Sequence, residues 1–231
     1  MNAQDGRLET WLGRPLREWP ADLFDDLEIK NPNQPSNLSI VMDAIAATRE
    51  VPGDVVECGV YRGSSLGTLG LFVKELGLPK RVWGLDSFQG FPSATVQDLI
   101  DGVVPEKSQP AYFAATSEEL VHHLVRRLKL TGVVELVPGY FEDTCPTLHA
   151  EAISVLWLDC DLYSSYKTCL QHLYPRVSPG GWIVFDEYYS KKYPGARVAV
   201  DEFFADKPEK PLLEPKYLQY SEYERWYLVK R

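Results

Sequence analysis

From residue 54 onward, short apolar runs alternate with segments whose apolar residues recur every three or four positions, the spacings of strands and of amphipathic helices. DVVECGV (54–60), RVWGLD (81–86), VVELVPG (133–139), ISVLWLD (153–159) and GWIVFDE (181–187) read as strands. The helical spacings fall at 64–76, 117–130, near 143–151, 164–176 and 197–206. Strand followed by helix, five times over, predicts an α/β fold with a doubly wound parallel sheet. Two further short runs, 212–219 and 225–230, have no helical segment between them and predict an antiparallel pair at the sheet edge, giving a mostly parallel seven-stranded sheet.

Upstream, Leu38, Val41, Met42, Ile45 and Ala46 keep helical spacing behind Ser36, a suitable cap. The first 35 residues are polar with scattered Trp11, Leu12, Trp19, Leu23, Phe24 and Leu27, and close in Asn31-Pro32-Asn33-Gln34-Pro35, which breaks a helix. The expected organisation is an N-terminal helical extension over 1–50 and one domain over 51–231. Within that domain, 88–115 is long for a connection, as lids and substrate loops are.

Composition narrows the classes. A chain of 231 residues with 45% hydrophobic content is enough to build one full core. A net charge of −9 argues against wrapping nucleic acid or an anionic membrane, since both need clustered Lys and Arg. No apolar run is long enough to span a bilayer, and Met1 to Asp5 lacks a basic and then apolar leader, so the expected location is the cytoplasm. Cys58, Cys145, Cys160 and Cys169 form no CxxC and read as buried reduced thiols, with no zinc cluster.

The chemistry collects where the strands end. Glu57, Asp86, Glu142 with Asp143, Asp159 with Asp161, and Asp186 with Glu187 all stand at or just beyond a strand's carboxyl end, where open α/β sheets bind ligands. The turn Glu57-Cys58-Gly59-Val60-Tyr61-Arg62-Gly63-Ser64 is GxxxG and lacks the second close glycine that lets backbone approach a pyrophosphate. Asp86 stands where a carboxylate accepts ribose hydroxyls. A glycine turn with a ribose acid but no phosphate cradle fits a nucleoside with a cationic, amino-acid-like tail, which describes S-adenosylmethionine. The competing reading is that Gly59 and Gly63 permit tight packing and Asp86 caps a helix.

ISVLWLD and GWIVFD are joined by one helix-sized segment and the turn Ser178-Pro179-Gly180-Gly181, a βαβ unit. As neighbours they bring Asp159 and Asp186 within about 5 Å, with Asp161 and Glu187 one step beyond. Carboxylates that close repel unless a cation intervenes, and hard oxygen donors suit Mg²⁺, Mn²⁺ or Ca²⁺. The competing reading is four acids that cap helix N-termini.

VECGVYRGSS, VWGLDSFQGFP, VPGYFEDTCP, LDCDLYSSYKTCLQHLYPRVSPGGWIVFDEY and RVAVDEFF resemble the macrocin O-methyltransferase family over roughly residues 36 to 206. The resemblance implies a class I Rossmann-like methyltransferase fold and S-adenosylmethionine- and Mg²⁺-dependent methylation of a hydroxyl on a sugar or glycosylated natural product. It assigns Glu57, Gly59, Tyr61, Gly63 and Ser64 to the methionine moiety, Asp86 and Ser87 to the ribose, and Tyr140 and Phe141, with neighbouring Glu142 and Asp143, to the adenine side. Asp159, next to the donor, would hold the metal with Asp186 and Glu187; the family usually reads Asp-Asp-Tyr where this chain has Asp186-Glu187-Tyr188. Asp159 or Asp161 is the expected base, because His122, His123, His149 and His172 all fall on helices rather than at strand ends. Lys191, Lys192, Tyr188 and Tyr189 follow the metal strand and are candidates to touch the acceptor, and a homodimer is implied. Three alternatives stand beside this: a catechol or other phenolic acceptor, a dehydrogenase read from the YxxxK at Tyr163 and Lys167, and a binding protein without turnover.

Overall fold

The computed structural model describes Thr10–Trp11, Arg14–Pro15, residues 37–218 and residues 224–231. Most of the expected N-terminal helical extension lies outside the described residues. Within it, β1 (Thr10–Trp11) and β2 (Arg14–Pro15) pair antiparallel, and α1 (Asn37–Ala47) forms where the spacing placed a helix.

The body alternates as its pattern dictates: β3 (Asp54–Cys58), α2 (Ser64–Glu75), β4 (Val82–Asp86), α3 (Glu118–Arg127), β5 (Val134–Pro138), α4 (Phe141–Thr147), β6 (Ile153–Leu158), α5 (Tyr163–Leu173), β7 (Val177–Phe185), α6 (Pro194–Phe203), β8 (Leu212–Leu213) and β9 (Trp226–Val229). The seven strands β3 to β9 are ordered β5-β4-β3-β6-β7-β9-β8; β9 pairs antiparallel with both β7 and β8, and every other pairing is parallel. The order reverses between β3 and β6, which opens a crevice beyond their carboxyl ends.

Side-chain alternation along the strands feeds two cores. Val55, Val155, Trp157 and Val184 face α1, α2 and α3; Val56, Leu156, Leu158 and Phe185 face α4, α5 and α6. Local signals set the ends of the helices. Ser117 caps α3 by accepting from the Leu120 N–H at 3.2 Å, with Glu118 and Glu119 in its first turn and Arg126 and Arg127 in its last. Pro194 opens α6, whose start precedes the expected 197 because proline suits a first helical turn. All four cysteines are free and buried in the second core, with the Cys145 and Cys169 sulfurs 3.9 Å apart.

Three expectations need correction: the run 212–219 is a strand only over Leu212–Leu213, the helix near 143–151 ends at Thr147 and leaves His149 in a loop, and a turn expected before β7 is absent. Ser178-Pro179-Gly180-Gly181 does not form a turn before the last parallel strand; it lies inside β7. Ile153 pairs with Val177 and Val155 with Trp182, so the extra residues bulge out while the ladder continues on either side. The glycines and proline are those of a bulge, not of a connection.

Candidate active site

The ladder runs on past the strands and delivers the acids to one place. The Gly59 N–H donates to Leu85 at 2.9 Å, the Asp159 N–H to Cys58 at 3.0 Å and the Asp186 N–H to Leu158 at 3.0 Å. With Leu158 opposite Phe185 in register, Asp159 and Asp186 are neighbours across the ladder. Beyond Cys160 the chain turns: Asp161 has φ 59, and the Leu162 N–H closes back onto the Cys160 carbonyl at 2.7 Å. That γ-turn, unfavourable for most side chains but tolerated by Asp, keeps Asp161 beside Asp159.

Carboxylate oxygens of Asp159, Asp161 and Glu187 lie within 4.8 Å of one another, and Asp186 lines the same cavity. Burial, then Asp186, Asp161 and Glu187, pushes the Asp159 carboxyl well above its ordinary range. Burial, then Asp186 and Asp86, does the same to Asp161. Burial and the neighbouring Asp186 and Asp161 push Glu187 up to about 10. Asp186 is raised by burial and pulled back by Arg225, whose own side chain is buried. Without further positive charge the set is stable only when partly protonated. An all-oxygen donor set of this kind fits a hard divalent cation and offers nothing to a soft one.

Tyr166 ties the two acid-bearing strands. Fully buried, its hydroxyl donates to the Leu158 carbonyl at 2.7 Å and accepts from the Glu187 N–H at 3.1 Å.

Two cavities share this floor. The first, of about 340 Å³, lies over the β3–α2 turn and is lined by Gly59, Tyr61, Ser64, Asp86, Ser87, Tyr140, Phe141 and Asp159 among the expected donor-binding residues, and by Glu142. Glu57 and Gly63 are not on its wall. Glu57 is fully buried behind it and accepts from the Ser65 hydroxyl, while Gly63, with φ 83, is the residue before α2 and packs on Val121. Gly59 is where the backbones of β3 and β6 come closest: a Cβ there would stand 1.9 Å from the Asp159 carbonyl oxygen. Asp86 braces the turn, since its carboxylate accepts from the N–H groups of Val60 and Tyr61 at 2.8 Å each and of Phe88 at 2.7 Å. A carboxylate has room for further donors beyond those three.

The second cavity, of about 450 Å³, is walled by Tyr112, Tyr189, Tyr193 and Arg225, with Lys107 and Lys192. Asp159, Asp161 and Phe113 line both cavities. Of the residues that follow the metal strand, Lys192 and Tyr189 line this cavity; Lys191 and Tyr188 do not, and Tyr188 donates to Asp201 at 2.7 Å. Sequence reasoning missed Arg225, Phe113 and Tyr166, none of which belongs to a recognisable spacing. The YxxxK pair is structural: the Tyr163 hydroxyl donates to Glu202 at 2.7 Å and accepts from Lys167 at 3.0 Å.

A nucleoside-sized cleft thus lies at the reversal point of a seven-stranded α/β sheet, where such sheets bind their ligands, floored by acids shared with a second cavity. The solved O-methyltransferase NovP superposes with a TM-score of 0.71 at 30% identity, over 84% of this chain and 78% of that one. Residues 33–214 match the family described as Macrocin-O-methyltransferase (TylF), and the chain belongs to that family. Its reaction class is O-methyl transfer from S-adenosylmethionine. Demethyldecarbamoylnovobiocin O-methyltransferase of Streptomyces niveus is 34% identical over 195 residues, 82% of this chain and 71% of that protein. 8-Demethyl-8-(2,3-dimethoxy-alpha-L-rhamnosyl)-tetracenomycin-C 4'-O-methyltransferase of Streptomyces olivaceus is 32% identical over 174 residues, 74% of this chain and 65% of that protein.

Proposed function

We propose that the protein methylates a hydroxyl of a sugar, free or on a glycosylated natural product, with the help of a divalent cation, Mg²⁺ by preference. The observation that carries this is the shared floor: Asp159 and Asp161 face the nucleoside-sized cavity on one side and the tyrosine-walled cavity on the other. The tetracenomycin relative is named for 4'-O-methylation of a rhamnosyl-bearing substrate, which supports a sugar here.

In this reading the first cavity takes the donor through Gly59, Tyr61, Ser64, Asp86, Ser87, Tyr140 and Phe141, with Glu57 and Gly63 acting from behind the wall by fixing Ser65 and the start of α2. Asp159, Asp186 and Glu187 would hold the cation. When bound, the cation would acidify a chelating hydroxyl and the donor would supply an electrophilic methyl on a sulfonium. Asp161 accepts the hydroxyl proton, a role suited to a carboxylate whose pKa is raised by burial. The second cavity orients the sugar, and positioning of oxygen against methyl supplies much of the rate. Residues 88–115 serve as the acceptor lid over both cavities, and residues 1–50 as an N-terminal extension whose α1 packs into the first core. The assembly proposed is a homodimer, and the location the cytoplasm, in keeping with four free thiols; among the described residues no helix is long and apolar enough to cross a membrane.

The test offers S-adenosylmethionine with rhamnosides and with catechol, before and after EDTA. Turnover of a glycoside that EDTA abolishes and Mg²⁺ restores is the expected result. Glycoside turnover untouched by EDTA overturns the cation, and a clear preference for catechol overturns the sugar.

A further inference from the structure

We propose that Asp98 is a positioning residue that clamps the 88–115 insertion onto both acid-bearing loops, so that the closed lid and the carboxylate cluster hold one another in place. Asp98 lies in a short helical turn, 96–98, midway along the insertion, and is fully buried. One carboxylate oxygen accepts from the Thr95 N–H and the Thr95 hydroxyl, both at 2.8 Å, which closes the insertion's own turn. The other accepts from the Tyr163 N–H at 2.8 Å.

That N–H opens α5, and the residue before it, Leu162, has no side chain able to cap it. A helix's first N–H groups lack partners inside the helix and favour an anion. Asp98 supplies that anion from a distant part of the chain, and so fixes the backbone immediately after the Asp161 γ-turn. The same oxygen excludes a side chain from α6: a Cβ on Gly195 would stand 2.0 Å from it and 2.9 Å from the Tyr163 Cβ. The first turn of α6, which ends the loop leaving Glu187, therefore closes on this carboxylate as well.

Three segments thus meet at one buried group: the insertion, the start of α5 after Asp161, and the start of α6 after Glu187. The insertion also carries Phe91 and Phe113 into the first cavity and Lys107 and Tyr112 into the second. A carboxylate suits the junction because it accepts from all three donors and demands none in return; an amide would set its NH₂ against one of them. The consequence for metal affinity rests on the cation reading above, but the clamp itself does not.

The experiment compares the full chain with Asp98→Ala, Asp98→Asn and Gly195→Ala. Hydrogen exchange is followed in the metal-free protein, and Mn²⁺ affinity by electron paramagnetic resonance. Asp98→Ala should speed exchange together in 88–115, 159–163 and 187–195 while β3 and α2 stay protected, and should weaken Mn²⁺ binding about 10- to 100-fold, the usual range for groups that orient ligands. Asp98→Asn should free the Thr95 turn more than the start of α5. Gly195→Ala should reproduce the three-segment pattern with Asp98 intact, and serves with Asp98→Asn if the alanine variant does not fold. Faster exchange confined to 95–98, or spread evenly over the whole chain, would overturn the clamp, as would unchanged Mn²⁺ affinity in a protein that binds it. If the unaltered protein binds no Mn²⁺, the cation reading falls, and the exchange pattern alone decides for or against the clamp.

Discussion

At the level of single residues, Gly59 is the least replaceable position in the site. Its φ of 102 already excludes most side chains, and a Cβ would overlap the Asp159 carbonyl. Gly59→Ala should cost about 3–5 kcal/mol, combining backbone strain with overpacking, and should register as a fall in urea midpoint. Asp159→Ala and Asp186→Ala act differently, because each also relieves repulsion among buried acids. Both should lower kcat at least about 100-fold with S-adenosylhomocysteine binding retained by calorimetry; full turnover in either would remove it from the cation site. Residues such as Asp159 and Asp186 were legible because an acid ending an apolar strand is visible without coordinates. Asp98, Tyr166 and Arg225 were not, since each acts by reaching a partner far away in sequence, and nothing local marks that reach.

Among the elements, Tyr166 of α5 does what neither β6 nor β7 does alone, holding the ends of both strands through one hydroxyl. Tyr166→Phe leaves the half-buried Glu187 N–H without its acceptor, while the Leu158 carbonyl keeps only the Asp186 N–H, and should cost about 1–3 kcal/mol in chemical denaturation. It should also raise the Mg²⁺ concentration needed for half-maximal rate. Ser117→Ala, at the start of α3, should cost about 1 kcal/mol through its lost cap, read as a lower urea midpoint. The parallel strands could be read from sequence because both their faces are covered, so their apolar runs are unbroken. The first half of β7 could not, because proline and two glycines carry the signature of a turn even when they form a bulge within a ladder. α4 begins at Phe141 rather than 143, ahead of its first buried polar residues, and Pro146 within it weakened the helical pattern.

For the molecule as a whole, the acid cluster ties stability to pH. Glu187 is raised from 4.5 to about 10, and its neighbours shift the same way, so the folded state holds protons that the unfolded chain releases. Stability of the metal-free protein should therefore fall as pH rises from about 5 toward 9, the reverse of an ordinary ion-paired carboxylate. Saturating Mg²⁺ should raise the melting temperature more at pH 8 than at pH 6, because its ligands must first lose their protons. A melting temperature that climbs with pH in EDTA would contradict this. The sulfurs of Cys58, Cys145 and Cys169 give the protein a built-in gauge of its integrity. Fully buried on three different elements, they meet a water-borne alkylating reagent only when the second core opens, so the rate at which these three react counts excursions of the entire chain rather than the wear of any exposed part.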